Sequence, residues 1–351
     1  MSNDPNTLDN TGEKPASVQL NKKTLWVKGA EHKCIEKNSR LVVGDPSGTF
    51  DEIPRNARQP GKNTHRHDWV ADIARMGDML VMGASLRGTM HYGLSTVRQD
   101  SFAFGSENNT NDDKWIIAAI ADGVSSAAGS HTFADYMARQ AVIVVGEELD
   151  SCSPGSLRDV DWNRLSQRLS VISDEFCRAA AKRIVSEDKA AEVDKALPKD
   201  FIQKWATTLE FVVIQAGSDG DSSEKEFVHV TVAGDGAAYV LSKAQGWSTI
   251  KTGKKQSGAI ASNAVLSLPL PPHEFSVEFG CLSKNDCLII TTDGLSDFIG
   301  DGGSQLGGFF QNRLPDCESL ASFLKTVDVS LYQADDDRSI IMIRGYVNYV
   351  E

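Results

Sequence analysis

The chain has 351 residues, 40% apolar and 24% charged, which is enough apolar material for one large core or two ordinary ones. Its 36 basic and 48 acidic side chains leave a net charge of −12, which argues against nucleic acid as a partner because phosphate contacts need a basic footprint. The six cysteines (Cys34, Cys152, Cys177, Cys281, Cys287 and Cys317) form no CxxC pair, which argues against a zinc ribbon or disulfide scaffold and suits reduced thiols in the cytoplasm. No apolar run approaches the roughly 20 residues of a membrane span. Met1–Asp4 shows no basic or apolar export region, so neither membrane nor export is expected.

Residues 1–20 are polar and turn-rich and read as a disordered tail. Residues 21–78 read as an N-terminal extension. Leu25-Trp26-Val27 and Leu41-Val42-Val43 suit short strands there, and Pro46, Gly48, Pro54, Pro60 and Gly61 break the stretch after them. A regular domain spans residues 79–347. Met79–Leu86, Ser101–Phe104 and Trp115–Ala121 are expected strands. A helix begins near Ser130, with Phe133, Met137, Ala141, Val144 and Val145 on one face. A second carries Trp162, Leu165, Leu169, Ile172, Phe176 and Ala180 on its apolar stripe. Thr208–Gln215, Phe227–Ala233, Ala238–Ser242 and Trp247–Lys251 suggest an antiparallel meander, with a hairpin tip at Asp219-Gly220-Asp221. Cys287–Thr292 is a further strand. A helix with Leu320, Phe323, Leu324, Val327 and Leu331 on one face precedes a last strand at Ser339–Arg344. Strands with occasional long helices, without βαβ alternation, predict an α+β class with helices covering mainly antiparallel sheets.

Acidic residues stand at the strand ends. Asp122, Asp235 and Asp293 each follow a strand, while Asp100 and Asp335-Asp336-Asp337 each precede one. In antiparallel neighbours the end of one strand lies beside the start of the next, so all of these can share one sheet edge. Carboxylates that close repel unless cations or protons intervene. Oxygen-only donors suit Mg²⁺ or Mn²⁺ rather than zinc. A single Asp-Gly at a strand end is ordinarily a turn. Two such pairs after wholly apolar strands, with an acidic run before a third, ask for more than turns.

The order of these motifs resembles that of the metal-dependent type-2C protein phosphatases, and among them the bacterial forms. Gly83–His91 with Arg98-Gln99-Asp100-Ser101 resembles the family's opening motif, and Ala121-Asp122-Gly123 its first Ala-Asp-Gly. Ala206-Thr207-Thr208 is similar to the small-Thr-Thr segment, and Gly234-Asp235-Gly236 to Gly-Asp-Ser. Thr292-Asp293-Gly294-Leu295 resembles Ser-Asp-Gly-Leu, and Asp336-Asp337-Arg338-Ser339 the closing motif. Each is weak alone, but the ordered set over roughly residues 80–345 is strong.

The resemblance implies a four-layer αββα sandwich, two mainly antiparallel sheets flanked by helices, with residues 79–347 as the catalytic domain. It implies a site for two Mn²⁺ or Mg²⁺ ions: Asp122 bridging both, the Gly123 carbonyl on one, Asp293 and Asp336 on the other, and Asp100 supporting them through water. The activity implied is hydrolysis of phosphoserine and phosphothreonine in proteins by a metal-bridged water, opposite a cognate kinase. Val124 stands where eukaryotic members carry a His. The phosphate-gripping residue is His91 when read forward from Gly83, or Arg98 when counted back from Asp100, and His91 is favoured. Asp200, the nearest acid before Thr207-Thr208, lies three residues too far upstream to match a third-metal ligand, so a third ion stays open. A non-catalytic module of the same fold and a two-metal hydrolase of small phosphoesters are the alternatives. The histidines form no HxxxH or HExxH pair, and no GxSxG, Walker A or GxGxxG occurs. Gly300–Gly308 reads as a mobile loop beside the site.

Overall fold

A computed structural model describes residues 24–25, 34–37, 40–43, 67–94, 96–107, 114–217, 224–253, 266–270, 275–330 and 335–345. The expected tail over residues 1–20 and the Asp219-Gly220-Asp221 tip lie outside the described residues. The chain begins with three short strands, β1 (Thr24–Leu25), β2 (Cys34–Lys37) and β3 (Arg40–Val43). Then come β4 (Trp69–Met76), β5 (Met79–Leu86), α1 (Thr89–Gly93), β6 (Ser101–Ser106) and β7 (Trp115–Ala121). Two long helices follow, α2 (Ser130–Cys152) and α3 (Trp162–Lys182), then the short α4 (Ala190–Lys195). The strands β8 (Leu209–Gln215), β9 (Glu224–Ala233), β10 (Ala237–Ser242), β11 (Gly246–Lys251), β12 (Ser276–Ser283) and β13 (Asp286–Thr291) come next. The chain closes with α5 (Asp293–Ile299), α6 (Gln305–Gln311), α7 (Leu320–Val327), β14 (Val329–Ser330) and β15 (Arg338–Gly345).

Two antiparallel sheets form the sandwich. One has the order β11-β10-β13-β15-β5-β4 and the other β12-β9-β8-β7-β6. The period-2 alternation of strand side chains sorts them into layers. On β7, Ile116, Ala118 and Ile120 meet Val81, Ile290 and Ile341 between the sheets. Trp115, Ile117 and Ala119 turn outward onto Phe133, Met137, Leu165 and Leu169 of α2 and α3. On the other side, Ile289, Ile340 and Met342 pack against Leu295, Phe310 and Phe323 of α5, α6 and α7. Helices, sheet, sheet and helices make four layers, an α+β αββα sandwich.

Several expectations need correction. The segment 208–251 is not one meander: β8 and β9 belong to one sheet, whereas β10 and β11 belong to the other. Alternation alone does not reveal which sheet a strand joins. Gly300–Gly308 is a loop only as far as Ser304, and Gln305 opens α6. Ser304 accepts the Gly307 N–H at 2.9 Å and caps α6, whose buried Leu306, Phe309 and Phe310 anchor it on the sheet. The helix starting at Leu320 ends at Val327, and β14 pairs in parallel with β3 through Val329–Leu41 and Ser330–Val42. Part of the N-terminal extension is thereby tied to the main domain. β4, which the sequence assigns to that extension, completes the edge of the six-stranded sheet along the full length of β5.

A buried ionic group joins the sheets. Lys251 of β11 donates to Glu210 of β8, and His229 of β9 lies between Glu210 (3.1 Å) and Glu278 of β12 (3.2 Å). Burial pushes the Glu210 carboxyl up, but the Lys251 charge and the His229 hydrogen bond outweigh it and leave it below its ordinary value. Burial likewise pulls His229 down, but its bonds to Glu210 and Glu278 outweigh that and raise it.

Candidate functional site

Antiparallel pairing builds the acidic edge. Ser101 of β6 pairs with Ala121 of β7, so Asp100 and Asp122 flank the same end of the five-stranded sheet. Thr291 of β13 pairs with Ile340 of β15, so Asp293 and the Asp336-Asp337 step flank the same end of the six-stranded sheet. Thr292 joins the two. Its hydroxyl donates to Asp100 Oδ2 at 2.8 Å and accepts the Ser339 N–H at 2.9 Å. Asp235 lies in the turn between β9 and β10.

Backbone contacts set each carboxylate. The Asp122 N–H donates to Thr208 Oγ1, and the Asp122 carbonyl accepts from the Thr208 N–H and Thr207 Oγ1, all at 2.8 Å. Two glycines permit close loop approach to the acidic run. A Cβ at Gly294 would stand 1.9 Å from the Asp337 carbonyl oxygen, and one at Gly88 2.2 Å from the Asp336 carbonyl carbon. Asp293 lies in the first turn of α5, where the helix dipole favours negative charge.

Asp100 is buried, while Asp122, Asp293 and Asp336 are half-buried. Burial, then the charges of Asp337 and Asp336, push the Asp100 carboxyl up to about 8, against the pull of the Thr292 hydrogen bond. Asp122 is raised well above its ordinary value, first by desolvation and then by Asp100, Asp293 and Asp336. Its side chain is close enough to Asp293 to share a hydrogen bond. Asp336 is raised by burial and by Asp293 and Asp337, opposed by the Asp337 N–H it accepts at 2.8 Å. These side chains are neighbours rather than a closed cage: among the described residues, no three or more His, Cys, Asp or Glu form a ready coordination set. The donors nevertheless fit a hard divalent ion, being oxygen-only and mutually repelling, so a cation among them would lower the energy of every ionised carboxylate.

His91, on α1, is buried and its Nδ1 lies 2.8 Å from Asp337 Oδ1. Burial lowers its pKa, but Asp337, Asp336 and Asp100 outweigh that and raise it. Its imidazole therefore belongs to the acidic cluster. Arg98 is also buried but is engaged by the scaffold, donating to Ser85 Oγ and the Asp100 carbonyl. Arg87 stacks 4.3 Å over Tyr92 and donates to the His91 carbonyl at 2.8 Å and to Asp68 at 3.1 Å. The Gly123 amide region is buried beside Thr207, with which it forms an isolated bridge. Asp200 is exposed and caps the Leu197 N–H at 2.7 Å, a local structural role. Sequence reasoning passed over Thr292 and Asp337 as site residues. Thr292 carried no signal beyond its place before Asp-Gly, and Asp337 was hidden within an acidic triplet.

A carboxylate edge spanning two sheets of an αββα sandwich, with a buried imidazole beside it, suits metal-assisted chemistry on phosphate esters. The family model described as Protein phosphatase 2C matches residues 87–339, and the chain belongs to that family. It is a protein serine/threonine phosphatase that depends on divalent metal and acts on phosphoproteins. No curated protein sequence matches the chain. Among solved structures it is similar to PppA of Pseudomonas aeruginosa, at 16% identity over 77% of this chain and 99% of that one, with a TM-score of 0.47. It is also similar to the S. agalactiae serine/threonine phosphatase, at 12% identity over 79% and 99% with a TM-score of 0.46. The Mycobacterium tuberculosis phosphatase PstP/Ppp is 14% identical over 77% and 99%, with a TM-score of 0.44. Among the described residues, no helix is long and apolar enough to cross a membrane.

Proposed function

We propose that Asp122, the Gly123 carbonyl, Asp293 and Asp336 hold two divalent cations, Mn²⁺ or Mg²⁺, with Asp100 supporting them through water. The observation that carries this is the gathering of Asp100, Asp122, Asp293 and Asp336 at one sandwich edge by strand pairing and the Thr292 bridge, with Asp100, Asp122 and Asp336 raised by burial and by neighbouring carboxylates. When bound, the ions would neutralise these charges and supply an activated water for attack on phosphorus. The chain's own residues do the rest. Thr207 and Thr208 hold the Asp122 backbone, Thr292 orients Asp100, and the His91 imidazole grips a phosphate oxygen of phosphoserine or phosphothreonine. Arg98 serves the scaffold through Ser85 and the Asp100 carbonyl. A cognate kinase and a cytoplasmic setting complete the reading, the latter supported by free thiols at Cys152, Cys177, Cys281, Cys287 and Cys317.

Activity on a phosphopeptide should vanish in excess chelator and return with Mn²⁺ or Mg²⁺. Asp122→Ala should lower turnover by roughly 10²-fold or more while the far-ultraviolet circular dichroism is retained. Turnover in excess chelator, or a near wild-type Asp122→Ala enzyme, overturns the assignment. Faster turnover of nucleotides than of phosphopeptide would instead favour a small-phosphoester hydrolase.

A further inference from the structure

We propose that Asp337 is a positioning residue that fixes the His91 ring and the 88–99 loop against the acidic edge; the proposal rests on the reading of His91 as the phosphate-binding group. Asp337 is 2% exposed, and both of its oxygens are engaged. Oδ1 accepts the Gly88 N–H at 2.6 Å and lies 2.8 Å from His91 Nδ1, while Oδ2 accepts the Gln99 N–H at 2.5 Å. The two N–H donors bracket the loop: Gly88 precedes α1 and Gln99 adjoins Asp100, with His91 between them on α1. One carboxylate therefore fastens both ends of the segment that carries the imidazole. The grip is reinforced by the Met90 N–H, which donates to the Asp335 carbonyl at 2.8 Å. The His91 carbonyl is also held, by the Arg87 guanidinium at 2.8 Å and the Thr96 N–H at 2.9 Å.

The chemistry requires a carboxylate here. A carboxylate offers two acceptor oxygens, and charge-assisted bonds to buried N–H groups are about twice as strong as neutral ones. An amide would keep one acceptor and turn its NH₂ toward the other N–H. It would also remove the negative charge beside His91. Because both oxygens face N–H donors, Asp337 is assigned to positioning rather than to the cation ligands, although it adjoins Asp336. With Nδ1 facing Asp337 Oδ1 at 2.8 Å, Nε2 is the ring nitrogen left for a phosphate oxygen. Asp337 therefore acts through His91.

The test is a double-mutant cycle of Asp337→Asn and His91→Ala, with kcat and KM measured on a phosphopeptide and Mn²⁺ affinity measured by calorimetry. Asp337→Asn should lower kcat/KM by about tenfold, with Mn²⁺ affinity held within about threefold. The double variant should be no worse than His91→Ala within about twofold, since the two act as one unit. An equal loss from Asp337→Asn in both backgrounds overturns the proposal, as does a fall in Mn²⁺ affinity proportional to the fall in kcat. A His91→Ala enzyme with wild-type kcat and KM instead sinks the His91 reading itself. Should Asp337→Asn fail to fold, ¹⁵N spectra of the wild-type full chain decide. A proton on His91 Nδ1 supports the contact, and a bare Nδ1 with the proton on Nε2 overturns it.

Discussion

Asp100→Asn should stabilise the chelated protein at alkaline pH, by an amount set by the electrostatics of the acidic edge. In the folded chain the Asp100 carboxyl is pushed from 3.8 up to about 8, chiefly by burial and by Asp337 and Asp336. The folded state therefore binds a proton that the unfolded state releases between those values. Stability falls as pH rises through that window. A rise of about four pH units, at about 1.4 kcal/mol each, sets a ceiling near 6 kcal/mol for the penalty above pH 8. The asparagine removes this penalty, but Thr292 Oγ1 loses the charged acceptor it holds at 2.8 Å, which costs about 1–2 kcal/mol. A net gain of about 3 kcal/mol is expected at pH 8, and little or none at pH 5, where the wild-type carboxyl is protonated. Added Mn²⁺ should reverse the order at pH 8, because the wild-type carboxylate gains a cation partner. Guanidinium denaturation of both proteins in chelator at pH 5 and pH 8 reads this directly. Comparing the two cancels the contribution of His229, whose charged neighbours are Glu210, Glu278 and Lys251. Parallel pH dependences, or a less stable asparagine variant at pH 8, would refute the reasoning.

Lys251→Met should destabilise the fold by about 3 kcal/mol, because it leaves the buried Glu210 carboxylate with His229 alone; a change below about 0.5 kcal/mol in denaturant melts would contradict the inter-sheet role. His229 has a raised folded pKa, so its contribution relative to His229→Gln should be complete below about pH 6.5 and be lost as pH rises through the folded value. Its partners Glu210 and Glu278 are lowered, so their contribution should hold above their ordinary range and fade as pH falls through the folded values. An advantage of the wild type over His229→Gln that grew with pH would reverse the assignment. Gly294→Ala should lower both the melting temperature and the Mn²⁺-dependent turnover, because its Cβ would meet the Asp337 carbonyl oxygen at 1.9 Å. Unchanged melting and kinetics would show that the 335–337 segment yields freely.

Much of this protein was legible without coordinates. β5 and β7 were bounded correctly because mainly apolar runs of strand length end at turn residues, as Trp115–Ala121 does before Asp122-Gly123. The stripes on α2 and α3 gave away their sheet-facing sides for the same local reason, a 3.6-residue period. The acidic residues could be placed at one edge because antiparallel pairing dictates which strand ends are neighbours. What depends on partners distant in sequence was not legible. Whether β8 to β11 make one sheet or two is decided by inter-sheet packing, and α6 hides in a glycine-rich stretch whose helicity rests on buried Leu306, Phe309 and Phe310. At the candidate site, the acids themselves could be read, but not that Thr292 links Asp100 to β15, or that Arg98 is taken up by Ser85 and a carbonyl. The Asp337 contacts with Gly88, His91 and Gln99 span more than 230 positions of sequence. Local composition determines which residues can form a strand, a cap or a ligand. Only the closed sandwich determines which of their polar atoms meet, because those meetings are fixed by the burial of everything around them.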